Sequence, residues 1–165
     1  MRRTVEKGKT LLVDGPASVT LLSGKTEILG ATFREGERVV IRDGKRLSFE
    51  VSSKAIFDLR LGENASFKEV DGTTIPISWE NAFKEVMSQN RPVTVMLMGG
   101  VDSGKTSFCV YLANRTLGDG WKPAVIDGDL GQSDIGPPST IGFSRITKPM
   151  KDLFEIEAEN VFFVG

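Results

Sequence analysis

The stretch Gly99–Thr106, with the sequence GGVDSGKT, decides how this chain is interpreted. It is an unbroken G-x-x-x-x-G-K-[ST] motif, in which a glycine-rich loop wraps around phosphate groups. Glycines let the backbone approach closely enough for successive N–H groups to point at phosphate oxygens, and the positive end of a following helix adds to this attraction. We therefore predict a nucleotide-binding loop, or P-loop, whose binding residues are Gly99, Gly100, Val101, Asp102, Ser103, Gly104, Lys105, Thr106 and Ser107.

Two side chains of the motif have roles that follow from phosphate chemistry. The Lys105 ammonium would bridge the β- and γ-phosphates of ATP, and the Thr106 hydroxyl would ligate Mg²⁺. The alternative is a glycine-rich turn with an exposed lysine, since the motif also arises by chance. The flanking segments favour the P-loop, because an apolar run precedes the motif and an amphipathic pattern follows it.

These flanking segments predict an α/β arrangement. Val93–Met98 is a continuous β-branched and apolar run, typical of a strand buried on both faces of a parallel sheet. Ala124–Ile126 and Val161–Val164 are predicted as further buried strands. Strand, helix and strand give the first part of an α/β P-loop NTPase domain with a parallel sheet. The helix is expected over residues 105–117, with an apolar side of Phe108, Cys109, Leu112 and Ala113.

A second polar loop, Asp127-Gly128-Asp129-Leu130-Gly131-Gln132, follows the predicted strand 124–126. The ends of adjacent parallel strands open into one crevice, so the two carboxylates are expected to face the P-loop. One of them would hold the water shell of Mg²⁺, and the other would accept a proton from an attacking hydroxyl. An Asp-Gly turn with solvated carboxylates is the alternative. Residues 133–140 would line a substrate path or serve as a plain connector.

The first half of the chain has a different pattern, in which apolar and polar residues alternate. A period of two predicts antiparallel strands with one buried face. The alternating runs are Ala17–Leu21, Leu47–Val51 and Phe57–Leu61, and the turn signals are Ser23-Gly24, Asp43-Gly44 and Asp71-Gly72. We predict a small N-terminal all-β domain, a sandwich or barrel, over residues 1–78, followed by the P-loop domain over 79–165.

The P-loop domain is expected to open with a helix of its own. In the segment Trp79–Gln89, apolar residues recur at the spacing of one helix face. Ser78 directly precedes this segment, in a position suited to capping the helix. We therefore predict that the helix begins at Trp79 and that the Ser78 side chain caps it.

The composition limits the classes of function. The 165 residues are 39% hydrophobic and carry a net charge of −1, which excludes affinity for nucleic acid through bulk positive charge. The absence of histidine excludes Ser–His–Asp and Cys–His nucleophile systems and His-ligated metals. The single cysteine excludes an intrachain disulfide and fits a reducing compartment. With no apolar stretch near the ~18 residues that a membrane span needs and no signal peptide, we expect a cytoplasmic protein without a membrane partner.

At its two polar loops the sequence resembles the polynucleotide (RNA) 5′-hydroxyl kinases. That family includes the P-loop subunit of the mRNA cleavage and polyadenylation machinery and the kinases of ribosomal-RNA processing. Residues 99–144 are similar to the archaeal branch, and the D-x-D-x-G-Q element of residues 127–132 is the specific part. Residues 15–30 resemble the family's small N-terminal β-domain. The family's kinase domain continues well past the position of Gly165, so the resemblance implies the N-terminal portion of a longer kinase.

The resemblance also implies a role for each matching residue. Lys105 and Thr106 match the phosphate and Mg²⁺ positions, and Asp129 matches the carboxylate regarded as the general base for the 5′-hydroxyl. Asp127 occupies the first carboxylate position, on the metal, and Gln132 lies in the segment expected near the nucleic acid. The implied reaction is transfer of the γ-phosphate of ATP, with Mg²⁺, to the 5′-hydroxyl end of RNA or DNA. Protein partners from RNA processing are implied as well, and this chain alone is expected to be inactive.

Three other interpretations stay open. In the first, the protein is a nucleotide-bound docking subunit of an RNA-processing complex that does no catalysis. In the second it is a GTP-operated switch, although Asp127 and Asp129 each lie one residue away from the D-x-x-G-Q spacing and no N-K-x-D occurs. The third, a partition ATPase of the deviant P-loop type, is disfavoured because Gly100 stands where that type has a lysine.

Overall fold

The structure is a computed structural model that describes residues 1–101 and 103–165. The chain forms two compact units, one of residues 1–28 and 32–76 and the other of residues 29–31 and 77–165. No helix within these described ranges is long and apolar enough to cross a membrane.

Seven strands form one sheet, which makes up most of the first unit. The neighbours run in the order β4-β3-β6-β2-β7, while β1 pairs with β6 and β5 pairs with β3. Antiparallel registers join β6 to β1, β2 and β3, which confirms the antiparallel β-domain that the alternation predicts. The strands are β1 (Arg2–Val5), β2 (Lys9–Asp14), β3 (Ala17–Ile28), β4 (Ala31–Phe33), β5 (Arg38–Ile41), β6 (Arg46–Leu61) and β7 (Phe67–Asp71).

The core of this sheet is organised by the long strand β6. The alternating runs Leu47–Val51 and Phe57–Leu61 lie on this single strand, because the period of two continues unbroken between them. Phe49 is fully buried, and its ring centroid lies 5.6 Å from those of both Phe33 and Phe57. Burial of each such ring stabilises the fold by roughly 1.5–3 kcal/mol, so this trio is the main apolar anchor of the unit.

The turn predicted at Ser23-Gly24 is wrong, because both residues lie inside strand β3. The pairing of β3 with β6 shifts register on either side of Ser23, so the glycine serves a β-bulge. Gly24 has φ +105°, and a Cβ atom there would lie 2.5 Å from the Lys54 carbonyl oxygen. The same conformational freedom that suits a hairpin turn therefore lets the strand bend without ending.

The second unit contains two helices and a small sheet. Helix α1 spans Ile77–Ser88 and helix α2 spans Lys105–Gly118, close to the two predicted helices. Strands β8, β9 and β10 form an antiparallel sheet in the order β10-β9-β8, and a 3₁₀ turn, Leu153–Glu155, precedes the last of them. The strands are β8 (Ala124–Asp127), β9 (Thr140–Arg145) and β10 (Asn160–Phe163).

The predicted parallel sheet is wrong. Val93–Met98 forms no strand, and Met96 and Met98 are 80% and 83% exposed. The strands predicted at 124–126 and 161–164 do form, but as antiparallel neighbours of β9, and all four residues of β10 are exposed. Two parallel neighbouring strands need a crossover connection, which is usually a helix. The described loop 128–139 between β8 and β9 contains no helix, so β9 runs antiparallel to β8.

Two details of the helices also differ from the sequence-based prediction. Ser78 is the second residue of α1 and so does not cap it; Pro76, which has no N–H to satisfy, stands directly before the helix. The buried face of α2 is centred on Val110, Ala113 and Asn114 rather than on Phe108 and its neighbours. The Asn114 side chain explains this rotation, because its amide donates to the Leu29 and Met150 carbonyls and its oxygen accepts the Met150 N–H.

Candidate functional site

The P-loop leads into α2 through a single left-handed residue. Gly104, the N-cap of α2, has φ +85° and ψ +15°, a conformation that disfavours any side chain. The Lys105 ammonium turns back and donates to the Gly100 carbonyl oxygen at 2.8 Å, and the Ser103 hydroxyl donates to the same oxygen at 2.9 Å. A Cβ atom on Gly99 would lie 2.7 Å from the Ser103 hydroxyl oxygen. The loop therefore curls tightly enough that a side chain at position 99 would displace the Ser103 hydroxyl from its place.

The start of α2 is available to an anion. Among the described residues no side chain caps this helix end, so its first N–H groups and its positive dipole end remain for a ligand. Thr106 is half-buried and Ser107 and Val101 are exposed, all beside this end. Asp102, the remaining predicted binding residue, lies outside the described residues. These features fit the phosphates of a nucleotide.

Aromatic packing fixes the direction of this helix end. Trp79 of α1 packs its ring against Phe108 and Tyr111 of α2, with centroid distances of 5.0 and 5.6 Å. A Cβ atom on Gly104 would also come within 3.8 Å of the Trp79 ring. The spacing of apolar residues places Trp79 on a packing face of its helix, but no sequence pattern shows that this face meets the start of α2.

The second loop is organised by Asp127, the last residue of β8. Its Oδ2 atom accepts hydrogen bonds from the Ser133 hydroxyl at 3.1 Å, the Asp134 N–H at 2.6 Å and the Ile135 N–H at 3.1 Å. Its Oδ1 atom accepts the Asp129 N–H at 3.1 Å. One half-buried carboxylate thus holds both ends of the loop that follows it.

Asp129 has a more open environment than Asp127. It is exposed, and its Oδ1 atom accepts the Gly131 N–H at 3.2 Å and the Gln132 N–H at 3.1 Å. Its Oδ2 atom takes no hydrogen bond from the described part of the chain. Gln132 is exposed on the same turn. The two aspartates predicted as a functional pair therefore share one loop, and of their four oxygens only Asp129 Oδ2 accepts no hydrogen bond from the described residues.

The helix that follows the first loop and the strand that precedes the second loop share one apolar core. Val110 and Ala113 of α2 pack with Val125 of β8 and Ile135 in one apolar core. Burial and, secondarily, the negative charge of Asp127 raise the pKa of the Cys109 thiol to about 11. The Asp127 carboxylate therefore acts electrostatically on a side chain of α2 that lies one helical turn after Lys105.

The described residues contain no cluster of three His, Cys, Asp or Glu side chains that could hold a metal ion by themselves. Mg²⁺ bound with a nucleotide needs only one or two protein ligands, because phosphate oxygens and water supply the rest. Thr106 therefore fits a Mg²⁺ ligand at the helix start, whereas both oxygens of Asp127 already accept hydrogen bonds within the loop. Ser133, which the sequence gives no reason to single out, joins this loop through its bond to Asp127.

Comparison with known proteins finds relatives of the segment that carries both loops. Residues 99–165 match the family described as mRNA cleavage and polyadenylation factor CLP1 P-loop. The polyribonucleotide 5′-hydroxyl-kinase of Methanocaldococcus jannaschii is 37% identical over 103 residues, which cover 62% of this chain and 28% of the relative. That of Pyrococcus furiosus is 40% identical over 91 residues, or 55% and 26% of the two chains. The chain thus spans well under half the length of these relatives.

More distant relatives extend over the first unit as well. A CLP1 homolog of Brugia malayi is 28% identical over 168 residues, covering 93% of this chain and 39% of the relative. A solved structure of the wild-type Clp1p–Pcf11p complex has the same fold, with a TM-score of 0.70 and 19% identity over 90% of this chain and 36% of that one. These matches confirm the resemblance that the two polar loops indicate.

Proposed function

We infer that this chain, which is related to the CLP1 and polyribonucleotide 5′-hydroxyl-kinase family, binds ATP together with Mg²⁺ at the loop of residues 99–107. The observation that carries this proposal is the tight loop that closes on the uncapped start of α2 through left-handed Gly104. A left-handed glycine at a helix start aims backbone N–H groups at one point, where a phosphate is the matching ligand.

Each residue of the loop has a specific task in this proposal. The backbone of Gly99, Gly100 and the following residues would surround the phosphates, and the Thr106 hydroxyl would ligate Mg²⁺. The Lys105 ammonium would exchange its bond to the Gly100 carbonyl for the β- and γ-phosphate oxygens. That exchange replaces a neutral acceptor by a charged one, which strengthens the hydrogen bond.

We further propose that the reaction of the whole protein is phosphorylation of the 5′-hydroxyl end of RNA, the activity named in its archaeal relatives, with DNA ends as a possible second substrate. Bound ATP supplies the γ-phosphoryl group. Asp129, with its Oδ2 atom open on an exposed turn, would accept the proton of the attacking hydroxyl. Gln132, next to it, would contact the nucleic acid. This chain would then supply the nucleotide-binding part of the enzyme.

The binding step is tested by calorimetry with ATP and Mg²⁺ on this chain. Lys105→Ala should weaken binding at least tenfold, because a charge-assisted contact to the phosphates is lost. Lys84→Ala is the matched control, since Lys84 is an exposed cation of α1 whose only described ion pair is with Glu80. Equal affinity of the wild type and Lys105→Ala would contradict the assignment of the loop.

The transfer step is tested with γ-labelled ATP and a 5′-hydroxyl oligoribonucleotide, on a chimera of this chain with the remaining part of an archaeal relative. Asp129→Asn should lower kcat by about 10²–10⁴, the usual size of a general-base contribution, while ATP affinity is kept. Asp71→Asn, which neutralises a carboxylate that is 93% exposed, is the matched control. A kcat loss no larger than that of the control would reject Asp129 as the base.

A second candidate is a nucleotide-bound docking subunit of an RNA-processing complex. It is favoured by the exposed apolar strand β10, where Phe162 and Phe163 are each 69% exposed, and by the fold shared with Clp1p in its complex with Pcf11p. In that case the chimera would bind ATP normally, but even the wild type would transfer no label to RNA. Asp129→Asn would leave the binding of a protein partner unchanged.

A further inference from the structure

The environment of the Asp127 carboxylate differs from that expected of a metal ligand. Four donors converge on it, and three of them reach the same oxygen, Oδ2. A carboxylate offers about four lone-pair sites in all. The three donors at Oδ2 exceed its two lone pairs, so a cation could bind this oxygen only by displacing a hydrogen bond. At Oδ1 a cation would share the oxygen with the Asp129 N–H.

We propose that Asp127 is a positioning residue, which holds the loop of residues 128–136 in the shape that presents Asp129 and Gln132, and is not itself a ligand of Mg²⁺. This inference rests on the proposed function, because it is Asp129 that the loop serves. It reassigns the metal role that the family resemblance implies for Asp127.

Two sets of hydrogen bonds connect the end of β8 to the Asp129 side chain. The Asp129 N–H donates to Asp127 Oδ1, which fixes the backbone from which the Asp129 side chain projects. Asp129 Oδ1 then accepts the N–H groups of Gly131 and Gln132, which fixes the side chain itself. Loss of the Asp127 carboxylate would therefore disturb the open Oδ2 atom of Asp129, although the two side chains share no bond.

The far end of the loop is fastened to the same carboxylate and to the core. The Ile135 N–H donates to Asp127 Oδ2, while the Ile135 side chain is only 5% exposed and packs with the Val110 and Val125 core. The Ser133 hydroxyl donates to that oxygen and accepts the Gly136 N–H at 3.0 Å. Both ends of the loop thus return to the two oxygens of one half-buried carboxylate at the end of β8, which holds the loop in one shape.

The experiment measures backbone amide exchange by NMR in this chain. Asp127→Asn replaces one accepting oxygen with an NH₂ group, so the Asp134 and Ile135 amides should exchange at least tenfold faster. Ser133→Ala is the matched control: it removes one donor but keeps both amide bonds, so these two amides should exchange within about threefold of the wild type. Unchanged exchange in Asp127→Asn would overturn the proposal.

A second readout separates positioning from metal binding. The ATP dissociation constant is measured with Mg²⁺ and with EDTA. The ratio of the EDTA value to the Mg²⁺ value should be the same in the wild type and in Asp127→Asn. A fall of that ratio towards one in the variant would assign the metal to Asp127 and overturn the proposal. If ATP does not bind at all, the proposed function fails while the amide exchange still tests the positioning role.

A third measurement needs no variant, and so covers the case in which Asp127→Asn does not fold. In the wild-type chain, the ¹³C resonance of the Asp127 carboxyl is followed as Mg²⁺ is added with ATP. The resonance should stay within the range of its own EDTA control, because the carboxylate keeps its four protein donors. A shift that saturates together with Mg²⁺ binding would show direct coordination and overturn the proposal.

Discussion

Replacement of Gly104 by alanine tests the feature on which the candidate site depends. At φ +85° a Cβ atom costs about 1–2 kcal/mol. No clash adds to this, since the nearest atom of Trp79 would be 3.8 Å away. Alanine also restricts the unfolded chain more than glycine does, which stabilises the folded state by about 0.4–1 kcal/mol. The net loss of unfolding free energy should therefore be about 1 kcal/mol.

The matched control is Gly118→Ala in the same helix. Gly118 is the last residue of α2, has no positive φ, and has open space around it, so alanine there should stabilise the unit by about 0.5–1 kcal/mol. The two variants should differ by about 2 kcal/mol, or ~1 M in the urea midpoint for a typical slope. Tryptophan fluorescence reports this unit selectively, because Trp79 and Trp121 both belong to it. If Gly104→Ala were as stable as Gly118→Ala, the left-handed loop geometry would be refuted.

Three further predictions concern the rest of the chain. Because the pKa of the Cys109 thiol is raised to about 11, Cys109 should react with Ellman's reagent at pH 8 about 10²-fold more slowly than in the urea-unfolded chain, and equal rates would contradict this. The contribution of the protonated thiol to stability should be lost as the pH rises from 9 to 11. Phe49→Ala should lower the free energy of unfolding of the β-sheet unit by about 3–5 kcal/mol, measured by circular dichroism in urea, and a loss below 1 kcal/mol would show that the aromatic trio is not its anchor. Hydrogen bonds from Arg46 and Ser66 hold the pKa of Asp14 below its usual 3.8, so the Asp14 contribution should be present above pH 3.8 and vanish as the pH falls further; Asp14→Asn should remove that pH dependence in acid titrations.

The parts of the fold that the sequence predicts are those fixed by near neighbours along the chain. The two helices are found within two residues of their predicted ends because their signals, apolar spacing and glycine, act within one or two turns. The apolar run Val93–Met98 has an equally clear pattern, yet a strand exists only when another strand pairs with it. The direction of β9 depends on what the connecting loop 128–139 contains, and residue pattern alone does not determine that.

In the candidate site as well, the features that could be predicted are those set by residues close together in the sequence. The helix that follows the glycine-rich motif could be predicted, and its start at a left-handed glycine is consistent with the predicted P-loop. The Asp-Gly pattern at 127–128 predicts a local turn, in which a side chain bonds the N–H two residues on, and the bond to Asp129 is of that kind. The bonds to residues 133, 134 and 135 reach six to eight residues along the chain, to a segment that Ile135 fastens to the core. Our proposal that Asp127 is a loop anchor rather than a metal ligand rests on these longer-range bonds, which the pattern of residues around Asp127 does not contain.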